Sequence, residues 1–306
     1  MNAWLFLQQA GSWRIALDLS LIGVFCGFYI VPLFALVQQR SKRERLARVV
    51  AANNILNALF MVIASLLAIT VLRGFGLNIP QLLFITALLN AVVAIYIFSL
   101  VPEFLMRFMV WMFTSLLYRI KVDGIEQHVP DHGPAIIVCN HVSYMDALIL
   151  GGAIPRPVRF VMYYKIFKIP ILNWIFKTAG AIPIAGAQED PELLRQAFEK
   201  IDDALARGEI VGIFPEGRLS SDGEISVFKN GVERILKSRP VPVVPMALQG
   251  MWHSVFSRRQ ASLNLLTLLR HFRAPVGLRA GPAVPAVQAT AKLLEQQVRA
   301  LRGQWA

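Results

Sequence analysis

The chain has 306 residues, 56% of them hydrophobic, and a formal net charge of +12. Its mean hydropathy of +0.53 is too high for an ordinary soluble protein, so part of it must sit in lipid, and the positive balance suits an anionic membrane surface better than nucleic acid. Two cysteines, Cys26 and Cys139, supply no disulfide framework, and nothing in the spacing of cysteines and histidines supports a zinc site.

Residues 1–14 lack a basic start and a small-residue cleavage site, which argues against a removable signal peptide. Three apolar runs follow, at about 15–37, 51–72 and 81–101. Each is about 20 residues, long enough to cross a hydrocarbon core of about 30 Å. Asp18 lies in the first run, near enough to its end to reach the interface, and is otherwise a candidate transport residue. The connection after the first run carries Arg40, Lys42, Arg43, Arg45 and Arg48, whereas the second carries Arg73 alone. This bias places the first connection, and everything after Val101, in the cytoplasm. The expected location is the inner (plasma) membrane, multi-pass. Residues 102–121, restarted by Pro102 and Glu103, read as an interfacial helix leading to a domain over 122–306.

From Val122 onward strands and helices alternate. The strands are AIIVC (135–139), VRFVMY (158–163), AIPIAG (181–186), IVGIFP (210–215), VPVVPMAL (241–248) and VGLRAG (276–281). Helices are expected at 146–151, 168–177, 191–207, 231–237 and 290–301. The fold class is therefore α/β, a mixed sheet layered with helices, preceded by about three transmembrane helices and an interfacial one.

The stretch AIIVCNHVSYMD (135–146) organises this domain: a short buried strand runs into His141, and Asp146 follows five positions later. A carboxylate that holds one imidazole nitrogen as N–H leaves the other free to take a proton, the arrangement of a general base. Ser143 between them reads as a loop or cap residue rather than a nucleophile, since no G-x-S-x-G elbow is present. His128, His132, His253 and His271 have no partners at metal-ligand spacing and read as surface or capping residues.

Taken with FPEGR (214–218), FKNG (228–231) and VPVVPMAL, the NHVSYMD segment resembles the glycerolipid acyltransferases, the family of 1-acylglycerol-3-phosphate acyltransferases, over about 115–285. The resemblance implies transfer of an acyl chain from a thioester of coenzyme A or acyl carrier protein to a lysophospholipid hydroxyl, lysophosphatidate or lysophosphatidylethanolamine. It needs neither metal nor bound cofactor. His141 and Asp146 would be catalytic. Phe214, Pro215, Glu216, Gly217, Arg218, Lys229 and Gly231 would bind substrate, with Arg218 on phosphate oxygens and Glu216 on a glycerol hydroxyl or holding Arg218. Lys229 is a phosphate or carrier contact, or else an ordinary surface lysine. Many family members carry an arginine just after the GxIxI strand; here Ala185 and Gly186 stand there, which shifts the expectation from lysophosphatidate toward a larger head group.

The run GFYIVPLFALVQQRSKRERLARVVAANNILNALFMV is similar to the last helices of major facilitator transporters of the lysophospholipid-transporter kind, over about 10–101. That resemblance leaves an alternative: a piece of a lysophospholipid transporter in which the acyltransferase domain is accessory.

Overall fold

A computed structural model describes residues 6, 8, 11–254, 256, 257 and 272–304. His271 lies outside them. The chain divides into two compact units, Met1–Leu105 and Met106–Ala306.

Among the described residues the first unit has three long α-helices, α1 (Ser12–Arg40), α2 (Leu46–Ile69) and α3 (Ile79–Leu100). All three are long and apolar enough to cross a membrane. Their large side chains point outward: Phe25, Met61 and Ile95 expose 64%, 71% and 73%. In water such surfaces would be a liability; in lipid they are the normal lining. Asn78 caps α3 through a reciprocal pair with Gln81, so the helix begins two residues before the apolar run suggests.

Helix α4 (Pro102–Leu117) ends four residues earlier than the sequence predicts. Residues 118–121, assigned from their apolar and basic content to the interfacial helix, instead belong to strand β1 (Tyr118–Asp123). The cause is tertiary, because each β1 residue pairs in parallel with one far along the chain, Tyr118 with Ala274 through Asp123 with Arg279. From Met106 onward α4 is part of the second unit rather than a linker. Arg107 donates to the carbonyls of Ile154 and Pro155, 2.8 Å each, and Thr114 is fully buried near Gly152, where a Cβ would come within 3.2 Å of its hydroxyl. Met109, Trp111, Phe113 and Leu116 of α4 remain exposed.

The second unit is built on a seven-stranded mixed sheet. Besides β1 its strands are β2 (Ala135–Cys139), β3 (Val158–Tyr163), β4 (Ile182–Ile184), β5 (Ile210–Ile213), β6 (Val243–Gln249) and β7 (Ala274–Ala280), in the order β1-β7-β6-β2-β5-β3-β4. All neighbours are parallel except β6 and β7. Strand β2 is central and wholly buried, which is why it reads as an uninterrupted apolar run. Ala135, Ile137 and Cys139 face one core with Ile149 and Leu150 of α5 (Asp146–Ala153). Ile136 and Val138 face the other, formed by α7 (Pro191–Ala206), α8 (Gly231–Ser238) and α9 (Ala291–Arg302). Helix α6 (Pro170–Thr178) follows a 3-10 turn, Tyr164–Lys168, and a single helical turn, Ile125–His128, follows β1.

Register places the chemistry. Val138 lies opposite Ile213 and Cys139 opposite Met246 in parallel pairs. His141 and Phe214–Glu216 therefore leave the same edge of the sheet, at the carboxyl ends of adjacent strands.

Candidate active site

Where β2 ends, Asn140 is fully buried and its amide serves both backbone groups of Leu248, donating to the carbonyl at 3.0 Å and accepting from the N–H at 2.8 Å. That two-bond clamp ties the strand end to β6 and fixes where the next residue starts. His141 follows with its ring partly exposed, and its Nδ1 lies 2.9 Å from Asp146 Oδ2. The same carboxylate oxygen accepts the backbone N–H groups of Val142, at 2.7 Å, and Ser143, at 2.9 Å. Asp146 opens α5 and is itself fully buried. Its carboxylate is thus held by three donors, two of them rigid backbone, so the imidazole has one orientation: Nδ1–H toward Asp146 and Nε2 outward.

Phe214 stacks on the imidazole, with ring centroids 4.2 Å apart and planes 18° from parallel. Phe160 stacks on Phe214 in turn, at 6.2 Å. The base therefore rests on an apolar stack that fixes its plane.

Glu216 has a role that its sequence context does not announce. Its carboxylate is buried and accepts the His141 N–H at 2.8 Å and the Ser226 N–H at 2.7 Å. Burial raises its pKa above the usual carboxylate range, and the two amides oppose that shift. It joins the His141 loop to the loop that carries Lys229, and neither bond involves Arg218. The Ser220 N–H adds a second tie, to the His141 carbonyl at 2.8 Å. As a result the amides of His141, Val142 and Ser143 are all committed internally and are not available to a substrate oxyanion.

Gly217 has φ 66°, and a Cβ there would lie 2.7 Å from Lys229 Nζ. That positive φ favours glycine, and a Cβ would displace the end of the Lys229 side chain from where it stands. The Pro215 carbonyl accepts the Lys229 N–H at 2.9 Å, which holds the two loops in register. Arg218 and Lys229 are exposed and stand in these two joined loops. Gly231 is the exposed first residue of α8, and a Cβ there would meet nothing within 4 Å; no close approach requires a glycine.

The missing cation also needs correction. Ala185 is buried, 4% exposed, so an arginine at that position would be forced into the core. Gly186 is exposed, and a Cβ there would have open space around it. The position able to present a cation is 186.

Sequence reasoning missed α9 altogether as a site element. Glu295 accepts the Phe228 N–H at 3.0 Å, Arg299 donates to the Ile225 carbonyl and to Glu295, and Arg302 donates to the Gly223 carbonyl and to Glu224. The closing helix thus grips the loop from Gly223 to Phe228, immediately before Lys229. No local pattern announces this, because the bonds go to backbone atoms some seventy residues away. Ser143 is a loop residue, as expected; its hydroxyl donates to the Phe256 carbonyl at 3.2 Å. Cys139 is buried, which pushes its thiol pKa well up. Among the described residues no cluster of His, Cys, Asp or Glu is able to hold a metal ion.

Residues 119–249 match the family model described as Acyltransferase. The chain is 32% identical to a chloroplastic 1-acyl-sn-glycerol-3-phosphate acyltransferase of Arabidopsis thaliana, over 44% of this chain and 36% of that protein. It is 30% identical to a 1-acyl-sn-glycerol-3-phosphate acyltransferase of Bacillus subtilis, over 44% of this chain and 65% of that one. A lyso-ornithine lipid O-acyltransferase of Pseudomonas aeruginosa is 28% identical over 44% of this chain and 48% of its own length. The chain thus spans less than two thirds of the length of these curated relatives. The crystal structure of a 1-acyl-sn-glycerophosphate acyltransferase from Thermotoga maritima superimposes with a TM-score of 0.51 at 23% identity, covering 83% of this chain and 99% of that one. The mixed sheet layered with helices is the fold of that structure.

Proposed function

We propose that this chain is a membrane-bound O-acyltransferase that moves an acyl group from a thioester to the free hydroxyl of a lysophospholipid. The observation that carries the reading is the His141–Asp146 pair, 2.9 Å apart at the end of a buried strand and beside the Arg218 and Lys229 loops, inside a segment that matches the Acyltransferase family. An alcohol is a poor nucleophile at neutral pH. His141 Nε2 takes its proton as the oxygen attacks the thioester carbonyl, while Asp146 stabilises the imidazolium. The tetrahedral adduct then collapses with cleavage of the C–S bond, and the thiolate leaves with the proton from His141. Positioned base catalysis of this kind supplies about 10²–10⁴-fold. Arg218 and Lys229 receive the acceptor phosphate, and Glu216 acts by joining their loops to His141. The donor is the thioester of coenzyme A or acyl carrier protein, and no cofactor or metal takes part.

The three apolar helices are the membrane anchor, with the loop of residues 40–48 and the catalytic unit on the cytoplasmic side of the plasma membrane. Their likeness to the end of a lysophospholipid transporter fits an origin in a transporter–enzyme fusion. The transport alternative gains no support from the comparisons above.

An acyl-transfer assay on purified membranes, with a panel of lysolipids and both donor types, tests the reading. Transfer to none of them, by correctly folded protein, would reject it. The acceptor choice turns on position 186. A single missing charge-assisted contact is worth about 1–3 kcal/mol. Gly186→Arg is therefore expected to improve use of lysophosphatidate, a dianionic monoester, relative to lysophosphatidylethanolamine, a diester. A wild-type enzyme that already prefers lysophosphatidate strongly and ignores the substitution would show that another residue holds the phosphate.

A further inference from the structure

From Ala147 to Gln188 the chain contains no aspartate or glutamate, although Arg156, Arg159, Lys165, Lys168 and Lys177 fall in that interval. The fold separates these cations into two groups. The arginines turn inward: Arg156 donates to the carbonyls of Pro130 and Gly208, and Arg159 to Glu209 and the Ala179 carbonyl. The three lysines remain at the surface, along one continuous segment formed by the end of β3, the turn Tyr164–Lys168 and α6. Tyr163, Ile169 and Trp174 in that segment expose 42%, 51% and 66% of their surface.

The cluster has internal order. Lys165 pairs with Glu189 at 2.8 Å, and the same carboxylate accepts the hydroxyls of Tyr163 and Tyr164. Those donors hold the Glu189 carboxyl down at about 2, so the pair stays charged at any working pH. Lys168 lies over the Tyr164 ring, 5.5 Å from its centroid. Lys177 stands three residues after Trp174 on α6, one turn along the same exposed face.

A tryptophan and an isoleucine open to water, with Lys168 and Lys177 beside them and Glu189 paired to Lys165, is the chemistry of an anionic bilayer interface. Aromatic rings settle at headgroup depth, and ammonium groups meet lipid phosphates. A protein partner fits less well, because lysine is depleted where proteins meet proteins. Connectivity adds weight: α3 ends at Leu100 and the second unit begins at Met106, so a bilayer crossed by α3 holds the second unit on a short tether.

We infer that the segment from Tyr163 to Lys177 is a membrane-contact surface of the second unit, inserting Ile169 and Trp174 at the headgroup level of an anionic bilayer while Lys168 and Lys177 engage lipid phosphates. The test uses the full chain in nanodiscs, with Cys26 replaced by alanine and the buried Cys139 retained. An environment-sensitive fluorophore is placed at Ile169→Cys or, as a control, at Val287→Cys, a site 90% exposed. The label at 169 is expected to shift to the blue and to be quenched by spin-labelled lipid several-fold more than the label at 287. Its quenching should rise when phosphatidylglycerol is added to phosphatidylcholine. Trp174→Ala, or Lys168→Glu with Lys177→Glu, should bring it back toward the control. Equal quenching at 169 and 287 in both lipid mixtures would overturn the inference. So would a label at 169 that is shielded in proportion to protein concentration but not quenched by lipid, since that pattern marks a second copy of the chain. The readout does not depend on acyl transfer and stands or falls apart from the proposed reaction.

Discussion

At the scale of single residues, the site is a set of commitments made by a few buried polar atoms. Asp146 Oδ2 accepts three hydrogen bonds, and Glu216 spans two loops. His141→Ala is expected to abolish nearly all transfer. Asp146→Asn should leave a folded protein slowed by about 10²-fold or more, because the amide no longer fixes the tautomer or stabilises the imidazolium. Steady-state kinetics on variants with unchanged circular dichroism decide this; more than a tenth of wild-type activity in His141→Ala would remove the base from the mechanism. Tyr118 offers a pH signature. Its buried hydroxyl bonds to Ser254 at 2.6 Å, and burial pushes its pKa up to about 12. The unfolded tyrosine ionises first, near pH 10, so the stability it contributes is complete below that pH and is lost as pH rises toward 12. The loss amounts to about 3 kcal/mol. Thermal midpoints taken across that range should fall more steeply for wild type than for Tyr118→Phe.

At the scale of elements, the position of Lys229 depends on α9. Glu295, Arg299 and Arg302 hold three backbone groups of the preceding loop, so the closing helix sets where the Lys229 loop stands. Glu295→Ala leaves the Phe228 N–H without its partner, at a cost of about 1–3 kcal/mol. The acceptor KM should rise several-fold while kcat changes little, and Glu295→Gln, which keeps an acceptor oxygen, should recover most of the loss. Equal falls in kcat and kcat/KM for both variants would mean that α9 supports the whole site rather than the binding loop.

At the scale of the whole molecule, the question is sidedness. The loop of residues 40–48 carries five cations, namely Arg40, Lys42, Arg43, Arg45 and Arg48, whereas the turn before α3 carries Arg73. In a Cys26→Ala background, Ser41→Cys should resist an impermeant thiol reagent added from outside, and Phe75→Cys should react. Phe75 is the better probe of that turn because Asn78 is engaged in capping α3. Labelling at 41 with protection at 75 would reject the proposed cytoplasmic placement of the second unit.

Much of this protein follows from sequence for a local reason. Apolar runs of membrane length, the buried β2 and the amphipathic α7 are periodicities that no distant residue has to supply. The His141–Asp146 pair was legible in the same way, since five residues at a strand-to-helix turn bring the two side chains together. Tertiary structure decided what depends on separation. Residues 118–121 look helical by composition and became a strand because β7, more than 150 residues later, offered an edge to pair with. Glu216 reads as a ligand in sequence, and the fold also makes it a bridge, because the Ser226 and His141 amides converge on it and a buried carboxylate must be satisfied. The open position for a cation is 186 rather than 185 because β4 turns Ala185 inward, and the grip of α9 joins side chains to a loop some seventy residues earlier. Hydrogen bonds to backbone leave no trace in side-chain pattern, so only the folded chain reveals them.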